Sequence, residues 1–169
     1  MFYDLDEPNL FVADVERCMD DEGVFIIQMM YLPSFLNRNA FDGICHEHLE
    51  YYSLTSLSNL LDRHNLEVCD VEIKDDVNEG SVCFFIRKKS SQKTVKLSPG
   101  ASERVISMFS NEKKQGLESL QTYKEFENER NNELFRHIKT FAYLKSKNYY
   151  ELIRFIEHKI FQVQIYGHS

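Results

Sequence analysis

At 169 residues, 43% of them hydrophobic and 13% aromatic, the chain has the length and apolar content of one folded domain, with or without an appendage. Its formal net charge of −7 argues against nucleic acid and anionic membrane as partners, because both select a basic face. No apolar run approaches the ~20 residues of a membrane helix, and the opening MFYDLDEP has neither the basic nor the apolar region of a secretion signal, so a cytoplasmic location is expected.

The spacing of NLFVADVERCM, residues 9–19, predicts a helix with Leu10, Phe11, Val15, Cys18 and Met19 on one face. Pro8 and Gly23 are its expected start and stop. The run from Val24 to Leu32, interrupted only by Gln28, predicts a strand covered on both faces, as in the parallel sheet of an α/β fold. Ser53 is placed to cap a helix whose buried stripe is Leu54, Leu57, Leu60 and Leu61, and Asn65 fits the left-handed position that ends it. LEVCDVEI and SVCFFIRK then predict an antiparallel hairpin around the turn KDDVNEG.

Beyond Lys88 a polar linker, KSSQKTVKLSPGAS, leads to a helix start at about Ser98–Pro99. Helical spacing then runs nearly to Lys159 through Val105, Met108, Phe109, Leu117, Leu120, Tyr123, Phe126, Leu134, Ile138, Phe141 and Leu144, with Gly116 expected to bend or divide it. The charges between them, EKK and ENERNNE, read as a solvated face. KIFQVQIYGHS, at the end, predicts one further strand and a glycine turn. A strand with nothing beside it and a start without one before the first helix suggest the middle of something larger.

The densest chemistry lies in FDGICHEHLEYY, residues 41–52. The four cysteines Cys18, Cys45, Cys69 and Cys83 show no C-x-x-C spacing and are expected to be reduced thiols. His46 and His48 stand two apart, about 200° from each other on a helix, whereas an H-E-x-x-H zinc site needs four, so no metal is expected. Two readings of the residues remain. One is a hydrogen-bonded corner between strand and helix. The other is acid/base chemistry, with a histidine beside a carboxylate near the carboxyl end of a sheet strand, where open α/β sheets bind ligands.

With its flanks, YLPSFLNRNAFDGICHEHLEYYSLTSLSNLLDRHNLEVCDVEI, this segment resembles the S-adenosylmethionine-dependent C-methyltransferases that act on nucleotide-linked deoxysugars. Their pattern is roughly F-D-x-I-x-H-E-H-x-x-Y-F/Y-S-L followed by an L-x-x-L-L helix and a strand. The resemblance runs from about Phe2 to Lys88 and continues loosely to the terminal IYGHS. It implies that a base removes a proton from a sugar carbon beside a ketone and that the carbon is then methylated. By resemblance the base is His48, with Glu47 in the same site and Cys45, His46, Tyr51, Tyr52 and Asp4 on the substrate side. Cys45 stands where those enzymes often carry tyrosine, Asp4 where they carry a histidine, and EGSVC where they carry G-G-S-x-R.

The fold expected is α/β: an incomplete doubly wound, class I methyltransferase-like sheet ending in an antiparallel hairpin and followed by long helices. The corresponding divisions are 1–90 for the sheet domain, 91–158 for the helices and 159–169 for the first strand of a further domain. The chain has six glycines and no G-x-G, so the loop that holds S-adenosylmethionine in that family is absent, as is its cysteine-rich zinc domain. Three expectations follow: a fragment inactive alone, a subunit of a split enzyme completed by a complementary polypeptide, or a non-catalytic interaction module. Missing strands also predict an uncovered edge and self-association.

Overall fold

A computed structural model describes residues 2–38, 40, 48–74, 80–91, 96–129 and 131. A 3-10 turn, Phe2–Asp4, precedes helix α1 (Pro8–Cys18), strand β1 (Phe25–Met30), helix α2 (Leu32–Asn37) and helix α3 (Leu54–Asp62). Strands β2 (Leu66–Lys74) and β3 (Ser81–Lys88) and helix α4 (Ala101–Gln115) follow, and residues 120–129 are helical. Residues Met1–Phe126 make up one compact unit and Glu127–Ser169 a second; the expected terminal strand and the positions Leu134, Ile138, Phe141 and Leu144 lie outside the described residues.

The three strands form one sheet in the order β1-β3-β2, with β3 antiparallel to both neighbours. The predicted hairpin is therefore present, and its turn ends on Gly80 at φ 108°, where a Cβ would stand 3.0 Å from that of Ser34. Among the described residues β1 has no parallel neighbour of the kind expected: its partner is β3, in a register that sets Ile27 opposite Phe84. Because β1 and β2 both oppose β3, they run in the same direction, and α3 lies in the crossover between them.

β1 is also covered on one face only. Ile27 and Met29 are buried, whereas Ile26 is 54% exposed. The covered face carries Phe84 and Ile86 of β3 and Val71 of β2, packed against the stripe Leu54, Leu57, Leu60 and Leu61 that the helix spacing predicts. Ser53 caps α3 with a reciprocal bond to Ser56, and Asn65 closes it at φ 58°, as expected.

α1 turns inward only part of the face predicted: Met19 packs against the core and Val15 is half-buried. Val12 is fully buried, while Leu10 is 64% exposed and Cys18 and Phe11 also lie on the surface. Phe11 nonetheless meets Phe2 edge-on and Phe25 at a tilt, so its ring is spent on contacts at the rim. Gly23 does not cap the helix; extended Met19 ends it, and Gly23 belongs to a separate turn in which its N–H donates to the Asp20 carbonyl.

α4 starts after Gly100, in the left-handed region, and ends at Gly116, also left-handed, which divides it from the helical residues 120–129. It packs on β2 through Met108 and Val105 of the predicted stripe. Phe109 and Leu120 of that stripe are exposed instead, and Glu112, read from the sequence as part of a solvated face, is buried.

Candidate functional site

His48 lies in an irregular strap, described over residues 48–53, that is pinned at three points. Leu49 and Glu50 both donate their backbone N–H to the Tyr3 carbonyl at 3.0 Å. Leu32, just past β1, donates to the Tyr52 carbonyl at 2.9 Å, and Ser53 then caps α3. The strap thus bridges the N-terminal 3-10 turn and the carboxyl end of β1. This is the end of the strand at which the sequence placed the motif.

The His48 ring is half-buried and meets Tyr3 edge-to-face, centroids 4.5 Å apart at 72°. Tyr51 stands on it in a second perpendicular contact at 6.2 Å. Tyr51 in turn leans on Phe35 of α2, and Phe35 on Phe126. Edge contacts of this kind fix the plane of the imidazole while leaving its nitrogens on the ring perimeter.

The other predicted residues fall in different surroundings. Asp4 is exposed, one residue from Tyr3, so its turn is brought against the strap. Tyr52 is only 6% exposed, tilted against Phe2 at 5.2 Å, and belongs to the core rather than to an open surface. Its burial, with the nearby Glu50 carboxylate, pushes the phenol up to about 12. Cys45, His46 and Glu47 lie outside the described residues.

Two polar clusters were not picked out by sequence reasoning. In the first, the Glu112 carboxylate of α4, 2% exposed, accepts from the Tyr31 hydroxyl at 2.8 Å, the Leu54 N–H at 2.5 Å and the Thr55 N–H at 2.9 Å. The Thr55 hydroxyl donates at 2.6 Å. The carboxylate therefore sits on the amino end of α3, where the helix dipole and unpaired N–H groups favour an anion. Burial first, and then Glu112, push the Tyr31 phenol well above the usual tyrosine range. The signal was available: Ala101, Val105, Met108 and Glu112 share one helical stripe.

In the second cluster, Arg104 forks onto Asp70 of β2, Nε to Oδ1 at 2.9 Å and Nη2 to Oδ2 at 2.7 Å, and Ser98 donates to Oδ2 at 2.7 Å. The Arg104 hydrogen bonds hold the Asp70 carboxyl below the usual carboxylate range. A cavity of 990 Å³ opens beside this pair, between α4 and the β2 side of the sheet, walled by Tyr31, Cys69, Phe85, Met108 and Asn111. His48 is not part of its lining.

Held at the carboxyl end of a strand, a half-buried imidazole of fixed plane can exchange a proton with a bound carbon acid. Among the described residues, Gly23 lies in the turn between α1 and β1, Gly80 at the end of the hairpin turn, and Gly100 and Gly116 at the two ends of α4.

What this arrangement defines is an α/β module presenting a histidine strap beside one sheet strand. Over 112 residues, 66% of the chain, the sequence is 36% identical to the C-methyltransferase NovU of Streptomyces niveus. That stretch is 25% of NovU, so the chain spans about a quarter of the length of the curated relative it matches. The likeness supports a relationship to a methyltransferase. No protein-family model matches the chain.

Proposed function

We propose that this chain is the proton-abstracting part of an S-adenosylmethionine-dependent C-methyltransferase acting on a nucleotide-linked keto sugar. The observation that carries the reading is the seat of His48: a half-buried imidazole clamped edge-on by Tyr3 and Tyr51 in a strap anchored at both ends. In this reading one ring nitrogen of His48 takes the proton from the carbon beside the ketone. The C–H electron pair moves into the enolate, and Glu47 steadies the imidazolium that forms. Tyr51 and the turn bearing Asp4 flank the sugar, and Cys45 and His46 complete its surroundings.

The reading assigns binding of the methyl donor to further polypeptide, either a complementary chain or another part of a longer one. The relation to a protein of which this chain spans a quarter supports that division. The two β strands of common direction with an intervening helix, and the returning strand between them, support an incomplete doubly wound sheet as the frame.

Proton removal can be tested without the donor. The chain, incubated with a nucleotide-linked keto sugar in heavy water, is expected to wash the proton beside the ketone out into solvent. His48→Ala is expected to slow the wash-out by roughly 10² or more. Wash-out no faster than without protein, or unchanged in the variant, would remove His48 from the mechanism. Calorimetry with S-adenosylmethionine is expected to show no binding to the chain alone.

A further inference from the structure

The two edges of the sheet are finished differently. β2 carries Glu67, Asp70, Glu72 and Lys74, has a bulge between Val68 and Asp70, and is flanked by α4, all features that keep an edge from pairing with another chain. β1 has no such feature: FIIQMM holds no charge and no proline, and its register with β3 is unbroken. No strand pairs with its other side among the described residues, and Ile26 on the open face is 54% exposed.

The helices fix the direction in which that edge can be filled. Val12 of α1 is buried in the same cluster as Leu54, Leu57, Leu60 and Leu61 of α3, so both helices lie on one face of the sheet. Crossovers of a single hand on one face carry a chain across its sheet in one direction. Through α3 that direction is from β1 toward β2, so a strand leading into α1 lies on the other side of β1, at the open edge. Phe2–Asp4, the turn before α1, stands at the carboxyl end of β1: the Tyr3 carbonyl accepts from Leu49 and Glu50 of the strap, and the Tyr52 carbonyl of the same strap accepts from Leu32. A strand that ends at this turn runs parallel to β1.

Charge decides against a second copy as the occupant. Exposed Asp20, Asp21 and Glu22 precede β1, and exposed Asp4 and Glu50 stand beside its carboxyl end. Of the cations in the adjoining segments, Arg17 pairs with Asp14 and Lys88 with Glu16, and Arg38 lies over Gly80 ahead of β3. Two copies paired at this edge would bring acidic groups together in either direction.

We propose that the open edge of β1 takes a strand of different sequence, apolar along its length and neutral or basic at its ends, running parallel to β1. The inference rests on the reading above: the strand belongs to the further polypeptide that brings the methyl donor, and its carboxyl end meets the rim where the strap holds His48.

The test extends the full chain ahead of Met1 with a Val/Ile/Thr strand that has a lysine at each end, joined by a Gly/Ser linker long enough to allow either direction. This strand is expected to slow amide exchange in β1 about tenfold or more relative to a plain Gly/Ser extension. Cross-strand nuclear Overhauser contacts are expected to report parallel pairing, and the same strand ended by glutamates is expected to protect less. Unchanged exchange, antiparallel contacts or equal protection by the glutamate version overturns the proposal. So does protection of β1 in the unextended chain that grows with its concentration, which would give the edge to a second copy. None of these readouts involves the sugar, so they and the proton wash-out assigned to His48 can fail independently.

Discussion

Asp70 and Glu112 are both buried carboxylates, yet they are satisfied in opposite ways. Asp70 has a cation, the forked Arg104 guanidinium; Glu112 has four neutral donors from Tyr31, Leu54 and Thr55. Their predicted behaviour differs accordingly. The carboxyl of Asp70 is held below its ordinary value of about 3.9. Its contribution to stability is therefore complete above that value and disappears as pH falls through the lower folded-state one. Urea unfolding of Asp70→Asn against the natural protein is expected to show a deficit at pH 6 that shrinks toward pH 3. Glu112→Gln keeps the shape but turns an amide toward backbone donors, and is expected to cost about 1–3 kcal/mol by the same measurement. Neither role was legible by composition. A carboxylate in EKK looks solvated until the strip through Ala101, Val105 and Met108 is followed one turn further, and Asp70 within an alternating strand gives no hint of an arginine thirty-four residues on.

At the scale of elements, what could be read depended on whether the deciding contacts were local. α3 was legible in full because cap, stripe and closing residue all lie within residues 53–65: Ser53, the four leucines and Asn65 at φ 58°. Ser53→Ala is expected to lower stability by about 1 kcal/mol, read from thermal unfolding, because the Ser56 N–H loses its acceptor at the helix start. The hairpin was legible for the same reason, two strands joined by a short polar turn. α1 was legible only in part: Met19 of the predicted face packs on the core, but the fully buried residue is Val12, outside that face, and Phe11 is exposed against Phe2 and Phe25. β1 shows the limit most plainly. An apolar run says that a strand is favourable, but direction belongs to the partner, and β3 lies more than fifty residues away. The strap bearing His48 was legible as chemistry, from the H-E-H motif, and not as geometry, because its clamp is Tyr3 from the far side of α1.

Across the first compact unit, sheet, strap and α4 meet at two buried phenols. Tyr31 follows β1 and donates to Glu112 of α4; Tyr52 of the strap lies on Phe2 in the core. Both are kept neutral by burial, Tyr52 up to about 12 and Tyr31 further still, against an ordinary tyrosine value near 10. The sign of the consequence follows from which form the fold prefers. The folded state favours the protonated phenol, so the stabilisation is complete below about pH 10 and is lost as pH rises from there toward and past 12. Ionising either phenol in place would set a buried charge against a carboxylate, Glu112 for Tyr31 and Glu50 for Tyr52, with no cation among their named partners to offset it. The unit should therefore open before these two side chains titrate. In an alkaline titration, a first rise in phenolate absorbance is expected to leave the far-ultraviolet circular dichroism unchanged. A second rise in phenolate absorbance is then expected to coincide with loss of helix and sheet signal. Tyr52→Phe should shift that second step to higher pH, since one of the protons that drives it is gone. A second step that left the dichroism intact would mean the two phenols ionise inside an intact fold, and the junction of sheet, strap and α4 would not be the closed core described here.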